Sequence, residues 1–252
     1  ASGGSIYELA VNQSGVVRAT GVAERNGRVL ITAEDGMLAH TGEIQAENGD
    51  GSGGEVLLGG DYLGGNAAVD NAAYTVVGEN ARIDVSATGP NADAGRAIVW
   101  SEQGTRFLGE IVGRGGAFGG DGAFAEVSGR AYLDFRGSAD LSAPTGNNGS
   151  LLLDPASLRI QASATETAAD TGGNPYVFEN TQDSGSVLLV SNLESQLANS
   201  DVALQTSVVQ DGDPPSSDSS IAVEDPVSWT SGNSLFFNSA GGISVNADLN
   251  GG

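Results

Sequence analysis

Short apolar segments, each introduced by glycine or Asp-Gly, recur along the chain. They are GRVLITA (27–33), GGEVLLGG (53–60), GRAIVWS (95–101), DGAFAEVSG (121–129), GSLLLDP (149–155) and GSVLLVS (185–191). We take one residue of each segment as equivalent: Val29, Val56, Ile98, Phe124, Leu151 and Val187. Three of the five steps between them are 26 or 27 residues long, and the two longer steps contain insertions. This fixed period is typical of a repeat protein whose units stack on one another.

Two further apolar segments follow within a repeat, as in MLAH (37–40) and EIQA (43–46) after the first segment. Glycine, asparagine and serine separate them, so each period predicts three short strands. The pattern therefore predicts an all-β chain that winds as a three-sided solenoid, a parallel β-helix with a central apolar column. Seven or eight coils spaced by about 4.8 Å would form a rod roughly 35–40 Å long. A β-sandwich is the second choice, because its strands usually lack a fixed three-strand period.

Two polar segments interrupt the repeat, at 162–184 and at 210–220, and we expect both to form surface loops. Between them, the segment 191–200 predicts one short helix, with Ser191 and Glu194 spaced as a capping box. The expected organisation is regular β-helix coils over 1–161, a loop excursion over 162–184, and further coils over 185–252 with an acidic loop at 210–220.

Charge and composition exclude several classes of partner and of functional site. The net charge is −22, and all ten basic residues are arginine, so nucleic acid and anionic membrane surfaces are unfavourable partners. The absence of cysteine excludes disulfide frameworks, thiolate metal sites and cysteine nucleophiles. No apolar stretch approaches the length of a membrane-spanning helix, and we expect no membrane insertion.

Paired carboxylates raise the alternative of a β-helical polysaccharide lyase or hydrolase. Glu126 with Asp134 and Asp140, or Asp61 with Asp84, would provide the acid and base of glycoside cleavage. With 32 acidic residues, however, such pairs arise by chance, and a solvated surface role is the favoured interpretation. The single histidine, His40, ends an apolar segment, and we expect a structural role for it.

Ligand contacts are expected in two loops. Tyr62 in GGDYLGG and Tyr176 in NPYVFE lie between glycines or after proline, which favours exposed aromatic contacts. Gly-Asp loops also offer hard oxygen ligands for calcium, namely Asp50, Asp121, Asp211 and Asp213. Because no complete calcium-binding motif is present, we expect incidental weak calcium binding and no dedicated cofactor.

The succession of several motifs resembles a known family. These are GGEVLLGGDYLGG, ARIDVSATG, GRAIVWSEQGTRFLGEIVGRGG, DGAFAEVSGRAYLDFRGSADLSA, GSLLLDP and VSWTSGNSLFFNSAGGISVNADLNGG. Together they resemble the filamentous-haemagglutinin-like exoproteins of the two-partner secretion route in Gram-negative bacteria. The family's NPNL-type and NPNG-type motifs do not occur, so the segment is expected to lie downstream of the secretion domain.

The resemblance implies a right-handed β-helix, export through an outer-membrane two-partner transporter, and an extracellular or cell-surface location. We therefore expect a non-catalytic adhesive segment, an acidic rod whose loops attach to a glycan or protein receptor on a host or environmental surface. Two alternatives stay open. One is the polysaccharide lyase or hydrolase, and the other is a filament subunit that associates end to end.

Overall fold

The computed structural model describes residues 9–20, 27–163, 185–206 and 219–252, and for the first two strands only the backbone. In chain order the strands are β1 (Leu9–Gln13), β2 (Val16–Thr20), β3 (Arg28–Ile31), β4 (Met37–His40), β5 (Glu43–Glu47), β6 (Glu55–Leu58), β7 (Tyr74–Val77), β8 (Arg82–Asp84), β9 (Arg96–Val99), β10 (Gly104–Phe107), β11 (Glu110–Val112), β12 (Phe124–Val127), β13 (Leu133–Phe135), β14 (Ser138–Asp140), β15 (Ser150–Leu153), β16 (Leu158–Gln161), β17 (Ser186–Leu189), β18 (Asp201–Thr206), β19 (Ser220–Val223), β20 (Val227–Trp229), β21 (Leu235–Ser239), β22 (Gly242–Val245) and β23 (Leu249–Gly251). Helix α1 spans Val190–Leu197, and a 3₁₀ turn spans Tyr62–Gly64.

The three largest sheets each take every third strand of the chain. The first sheet has the order β1-β4-β7-β10-β13, the second β2-β5-β8-β11-β14, and the third β3-β6-β9-β12-β15-β18-β21. A fourth sheet has the order β17-β16-β19-β22, and a fifth pairs β20 with β23. Neighbouring strands in all five sheets run parallel. The prediction of an all-β chain with parallel sheets is confirmed.

The inward face of the third sheet carries ladders of small and aliphatic side chains. One ladder contains Val29, Val56, Ala97, Ala125, Leu151 and Val202. The next contains Ile31, Leu58, Val99, Val127, Leu153 and Leu204. These ladders pack against Ile44, Ile83 and Ile111 of the second sheet in one continuous core. Removal of this apolar surface from water stabilises the stack.

The predicted equivalence of repeat positions is wrong at two places in this ladder. Ala97 and Ala125 pair with Val56 and Leu151, so Ile98 and Phe124 lie one residue out of step and on the other face of the sheet. The reason is that the strands are apolar on both faces. Hydrophobicity alone then does not determine which residues of a strand point toward the core.

Val187 is also wrongly placed by the repeat comparison. It pairs with Arg159 in the fourth sheet, and β18 instead continues the third sheet after β15. The segment GSVLLVS resembles GSLLLDP in letters, but its buried residues alternate, with Ser186 and Leu188 facing inward and Val187 partly exposed. It is therefore a strand with one buried face, unlike β15.

The predicted helix is present, but its predicted cap is wrong. Helix α1 follows β17 without a break, so Leu189 is the N-cap and makes no side-chain capping bond. Ser191 lies inside the helix, and the Glu194 carboxylate instead accepts a hydrogen bond from the Ser228 amide at 2.7 Å. Leu193 and Leu197 are buried in the core, as their four-residue spacing predicts.

Most of the two predicted loop excursions lies outside the described residues, which omit 164–184 and 207–218. Ser220, which we assigned to the acidic loop, already begins β19. In the part of the chain that the structure describes, no helix is long and apolar enough to cross a membrane.

Candidate functional site

The loop that carries Tyr62 joins β6 to β7, and we call residues 59–73 the Tyr62 loop. Asp61 begins its 3₁₀ turn: one carboxylate oxygen accepts from the Tyr62 amide at 2.7 Å and the other from the Asn66 side chain at 2.7 Å. Burial raises the pKa of Asp61, but these hydrogen bonds and the charges of Arg96 and Arg28 outweigh it and hold the pKa below its ordinary value. The turn is therefore fixed by an ionised aspartate.

Tyr62 forms an aromatic and cationic cluster with the third sheet. Tyr62 is 43% exposed. Its ring meets that of Phe124 edge to face, with the two ring centroids 5.8 Å apart. The guanidinium carbon of Arg96 lies 5.4 Å from the Tyr62 centroid and 5.9 Å from that of Phe124. The ring is thus partly exposed beside a cation, an arrangement that can make both apolar contacts and hydrogen bonds.

The Arg96 guanidinium also joins the cluster to two acids. One terminal nitrogen lies 3.4 Å from an Asp61 oxygen, and the other lies 3.5 Å from a Glu55 oxygen. Since both contacts are long and Arg96 is about one-third exposed, each adds little to stability. Their effect is to hold the guanidinium beside both rings.

Glu126 lies beneath the Tyr62 loop, on the outward face of β12. It is completely buried, and both carboxylate oxygens lie 3.2 Å from the Leu63 amide nitrogen, which donates to them. Burial raises the pKa of Glu126 to about 7. The Leu63 amide, the neighbouring Ser128 hydroxyl and Arg96 act in the opposite direction, while Asp154 raises the pKa further.

Backbone geometry fits the loop closely to the sheet. Leu63 has the left-handed values φ 54° and ψ 20°, and Gly64 follows with φ +62°. Beneath the loop lie the outward side chains Leu57 and Ile98 together with Trp100, all at most 4% exposed. The loop therefore covers an apolar strip of the third sheet.

The carboxylate pairs considered for glycoside cleavage are not brought together. Glu126 lies on the third sheet, Asp134 on the first and Asp140 on the second. Asp134 accepts from Arg106 at 3.0 Å, and Asp140 accepts from the Arg114 Nε at 2.8 Å. These carboxylates take part in ion pairs with the two arginines rather than forming an acid and base pair with Glu126.

The other proposed pair is separated in the same way. Asp61 belongs to the Tyr62 loop, whereas Asp84 lies on β8 of the second sheet and pairs with Arg82 at 3.0 Å.

Glu126 has a pKa suited to a general acid at neutral pH, but the Tyr62 loop covers it and excludes solvent from it.

The expected calcium ligands Asp50 and Asp121 stabilise turns. Asp50 accepts from the Ser52 amide and hydroxyl at 2.9 and 2.7 Å, and these bonds hold its pKa below the ordinary value. Asp121 accepts from the Asn147 amide at 2.8 Å, so it links two successive turns. Within the described ranges, no three acidic or histidine side chains are grouped as metal ligands.

The remaining expected site residues fall elsewhere. Tyr176, Asp211 and Asp213 lie outside the described residues. His40 is completely buried, and its Nε2 lies 3.4 Å from the Arg82 carbonyl oxygen. These contacts are those of a structural residue.

A separate cleft of about 450 Å³ lies between helix α1 and β20, lined by Glu194, Ala198, Ser228, Trp229, Thr230 and Ser231. Its polar groups already join the two elements: Glu194 accepts from the Ser228 amide, and the Ser231 hydroxyl donates to the Leu197 carbonyl. The Trp229 indole is likewise fixed, because its N–H donates to the Asn233 carbonyl at 2.8 Å. The cleft therefore marks the boundary where helix α1 packs against β20.

Sequence reasoning selected Tyr62 but not the residues that support it. Glu126 was considered only as a partner in a lyase or hydrolase site, and Phe124 only as an equivalent position of the apolar repeat. The available signal was the polar residue Glu126 at a position that is apolar in the neighbouring segments AIVW and SLLL. A single acidic residue at a position that is otherwise apolar in the repeat indicates that its carboxyl group has a specific partner.

Comparison with models of known protein families finds no family that matches the chain, and comparison with curated proteins finds no relative.

Proposed function

We propose that the chain is a non-catalytic structural and adhesive segment of a secreted bacterial surface protein, built as a right-handed, three-sided parallel β-helix. The observation that carries this proposal is the strand order, in which the first fifteen strands join three parallel sheets in strict rotation. A chain that returns to each sheet after every third strand advances by one strand spacing per round. Right-handed connections are the rule between parallel strands.

Such a stack presents its loops at fixed positions along a rigid support. The Tyr62 loop supports the adhesive part of the proposal, because it places an exposed tyrosine against a cation on well-packed strands. Rigid aromatic side chains provide large contact area at low entropic cost. The receptor would be a glycan or protein on a host or environmental surface, and the net charge of −22 keeps neighbouring rods apart.

An attachment assay tests this function. The purified chain is immobilised and probed with arrays of glycans and extracellular matrix proteins, alongside Tyr62→Ser and Phe118→Ser. Phe118 is a matched control, since it is 78% exposed on a different loop. We expect Tyr62→Ser to lower binding about tenfold and Phe118→Ser to leave it unchanged. Equal binding by both variants and the original chain would contradict the role of the Tyr62 loop.

The enzyme alternative is tested on the same preparations. Acidic polysaccharides are incubated with the chain and calcium, and reducing ends and unsaturated products are measured. We expect no turnover, because the members of each proposed carboxylate pair lie on different elements of the fold. Turnover that disappears in Glu126→Gln would overturn the non-catalytic proposal.

A filament subunit is the second candidate, and one observation favours it. Among the described residues, β21 and β22 are each the last strand of a sheet and pair on one side only, and Phe236, Ile243 and Val245 on them are about half exposed. Open edges with exposed apolar side chains favour pairing with another chain.

A further inference from the structure

We propose that Glu126 is a proton-controlled latch, which holds the Tyr62 loop closed while its carboxyl group is protonated and releases the loop when it ionises. The proposal concerns the regulation of the Tyr62 contact and in that respect rests on the proposed function. The latch itself is a property of the fold and can be measured without a ligand.

The position of Glu126 in the sheet is the first step of the argument. Its outward ladder on the third sheet contains otherwise apolar residues, namely Leu30, Leu57, Ile98, Leu152, Ala203 and Phe236. An aliphatic side chain at position 126 would continue the ladder without any desolvation cost. The carboxyl group is therefore unfavourable for packing unless it has a specific partner.

The Leu63 amide is that partner. Both oxygens of Glu126 lie 3.2 Å from its nitrogen, across 63 residues of sequence. Leu63 has a left-handed backbone, which is strained for a residue with a side chain. The contact with Glu126 therefore anchors the loop at its most strained residue.

The charges that face Glu126 do not neutralise it. Arg96 on β9 favours the ionised form, but its guanidinium is directed toward Asp61 on the loop and Glu55 on β6. Asp154, which follows β15, disfavours the ionised form, and it accepts a hydrogen bond from Gln205 on β18 at 3.1 Å. The buried carboxyl group is left with one shared cation and one opposing anion.

The direction of the pH effect follows from the complete burial of the carboxyl group, which outweighs the hydrogen bond from the Leu63 amide, a contact that by itself favours the ionised form. In the closed loop, burial raises the pKa of Glu126 to about 7, and hydration on opening returns the pKa toward its ordinary value of 4.5. The open form therefore ionises first as the pH rises. Opening becomes about tenfold more favourable per pH unit between 4.5 and 7 and changes little above that range. The latch is strongest in acid.

Release would change the surface in two ways. It separates Tyr62 from Arg96 and Phe124, which now orient its ring. It also uncovers the apolar strip of Leu57, Ile98 and Trp100. Acidic conditions therefore favour the ordered contact, and neutral to alkaline conditions favour an exposed apolar strip.

Hydrogen exchange of the full chain tests the latch. Protection factors of amides in residues 59–73 are measured from pH 5 to pH 8, corrected for intrinsic exchange, in the original chain, Glu126→Gln and Glu43→Gln. Glu43 is an exposed carboxylate on the second sheet and serves as the matched control. We expect protection to fall by on the order of 100-fold in the original chain and in Glu43→Gln, and to stay constant in Glu126→Gln.

A second variant keeps the test decisive if Glu126→Gln does not fold. Glu126→Leu removes the titrating carboxyl group and continues the apolar ladder between Ile98 and Leu152, so its protection should not depend on pH. A flat profile in the original chain, or the same slope in Glu126→Gln, would overturn the latch. Failure of the attachment assay with a normal exchange profile would overturn the proposed function and leave the latch intact.

Discussion

Gly64 lies directly against the indole ring of Trp100. A Cβ atom at position 64 would be 2.3 Å from Cζ2 and 2.5 Å from Cη2 of that ring, where real contacts are never so close. The backbone at Gly64 also has φ +62°, a conformation that side chains with a Cβ atom disfavour. Two independent constraints thus select glycine at the point where the Tyr62 loop meets the sheet.

Gly64→Ala should displace the loop and destabilise the chain by about 1–3 kcal/mol, from backbone strain and the clash with the indole. Urea denaturation measures the loss, and red-shifted Trp100 fluorescence in a Trp229→Phe background reports exposure of the strip. Gly232→Ala is the control, because nothing lies within 4 Å of its Cβ position. Equal effects of the two substitutions would contradict the close fit.

Glu126 should make the whole fold less stable as the pH rises. The pKa of about 7 in the folded state exceeds the ordinary value of 4.5, so the folded state holds the proton more tightly than the unfolded state does. The contribution is greatest below pH 4.5, falls by about 1.4 kcal/mol per pH unit, and is lost by about pH 7. Asp61 and Asp140 have lowered pKa values and act only at lower pH, where the opposite trend applies.

The measurement compares unfolding free energies of the original chain and Glu126→Gln at pH 5 and pH 8. We expect the difference between the two proteins to change by roughly 3 kcal/mol over this range, in favour of Glu126→Gln at pH 8. A difference that is independent of pH would show that Glu126 titrates normally.

Arg106 and Asp134 form a buried ion pair, 1% and 5% exposed, with Nε and Oδ2 3.0 Å apart. Asp134→Ala removes the carboxylate and leaves the guanidinium buried, so we expect a loss of about 3–5 kcal/mol. The double variant Arg106→Met with Asp134→Leu should recover most of that stability, since neither charge then remains. Thermal unfolding distinguishes the outcomes, and a double variant as unstable as Asp134→Ala would contradict this interpretation.

Phe107 and Phe135 stack in the core with centroids 5.5 Å apart and ring planes 9° apart. Phe107→Ala should cost about 3–5 kcal/mol, because the rigid strands on either side cannot close the cavity. Phe118→Ala, on an exposed loop, should change the unfolding free energy by no more than about 0.5 kcal/mol. Similar losses in both variants would mean that the stack is not part of a rigid core.

The strand positions and their parallel pairing were predictable from the sequence, because glycine and asparagine mark each turn and the apolar segments recur. The facing of individual strands was not. Ile98 and Phe124 are bulky yet point outward, since the Tyr62 loop covers that face. Their inward neighbours Ala97 and Ala125 are small. A comparison of hydrophobicity therefore assigned the larger residues, Ile98 and Phe124, to the inward face, which is wrong.

The site was predictable to a lesser extent. Glycines around Tyr62 indicated an exposed aromatic, and the structure places it there. The contact between Glu126 and Leu63 joins residues 63 positions apart, and no local pattern specifies it. The start of helix α1 was misplaced for a related reason: burial of Val190 and Leu193 against the core fixes the helix without a side-chain cap.

In the described part of the chain, β22 pairs on one side only, with β19, and this edge gives a final prediction. Ile243 and Val245 pair with Ile221 and Val223, which are completely buried, so they continue the core column but are themselves about half exposed. If copies stack through this edge, sedimentation velocity should show larger species as concentration rises, and Ile243→Lys should abolish them by placing a charge in the column. Phe118→Lys adds the same charge on a distant loop and should leave association unchanged. Association that survives Ile243→Lys, or that is lost equally in Phe118→Lys, would exclude stacking through β22, and a chain that stays monomeric at every concentration would remove the filament candidate.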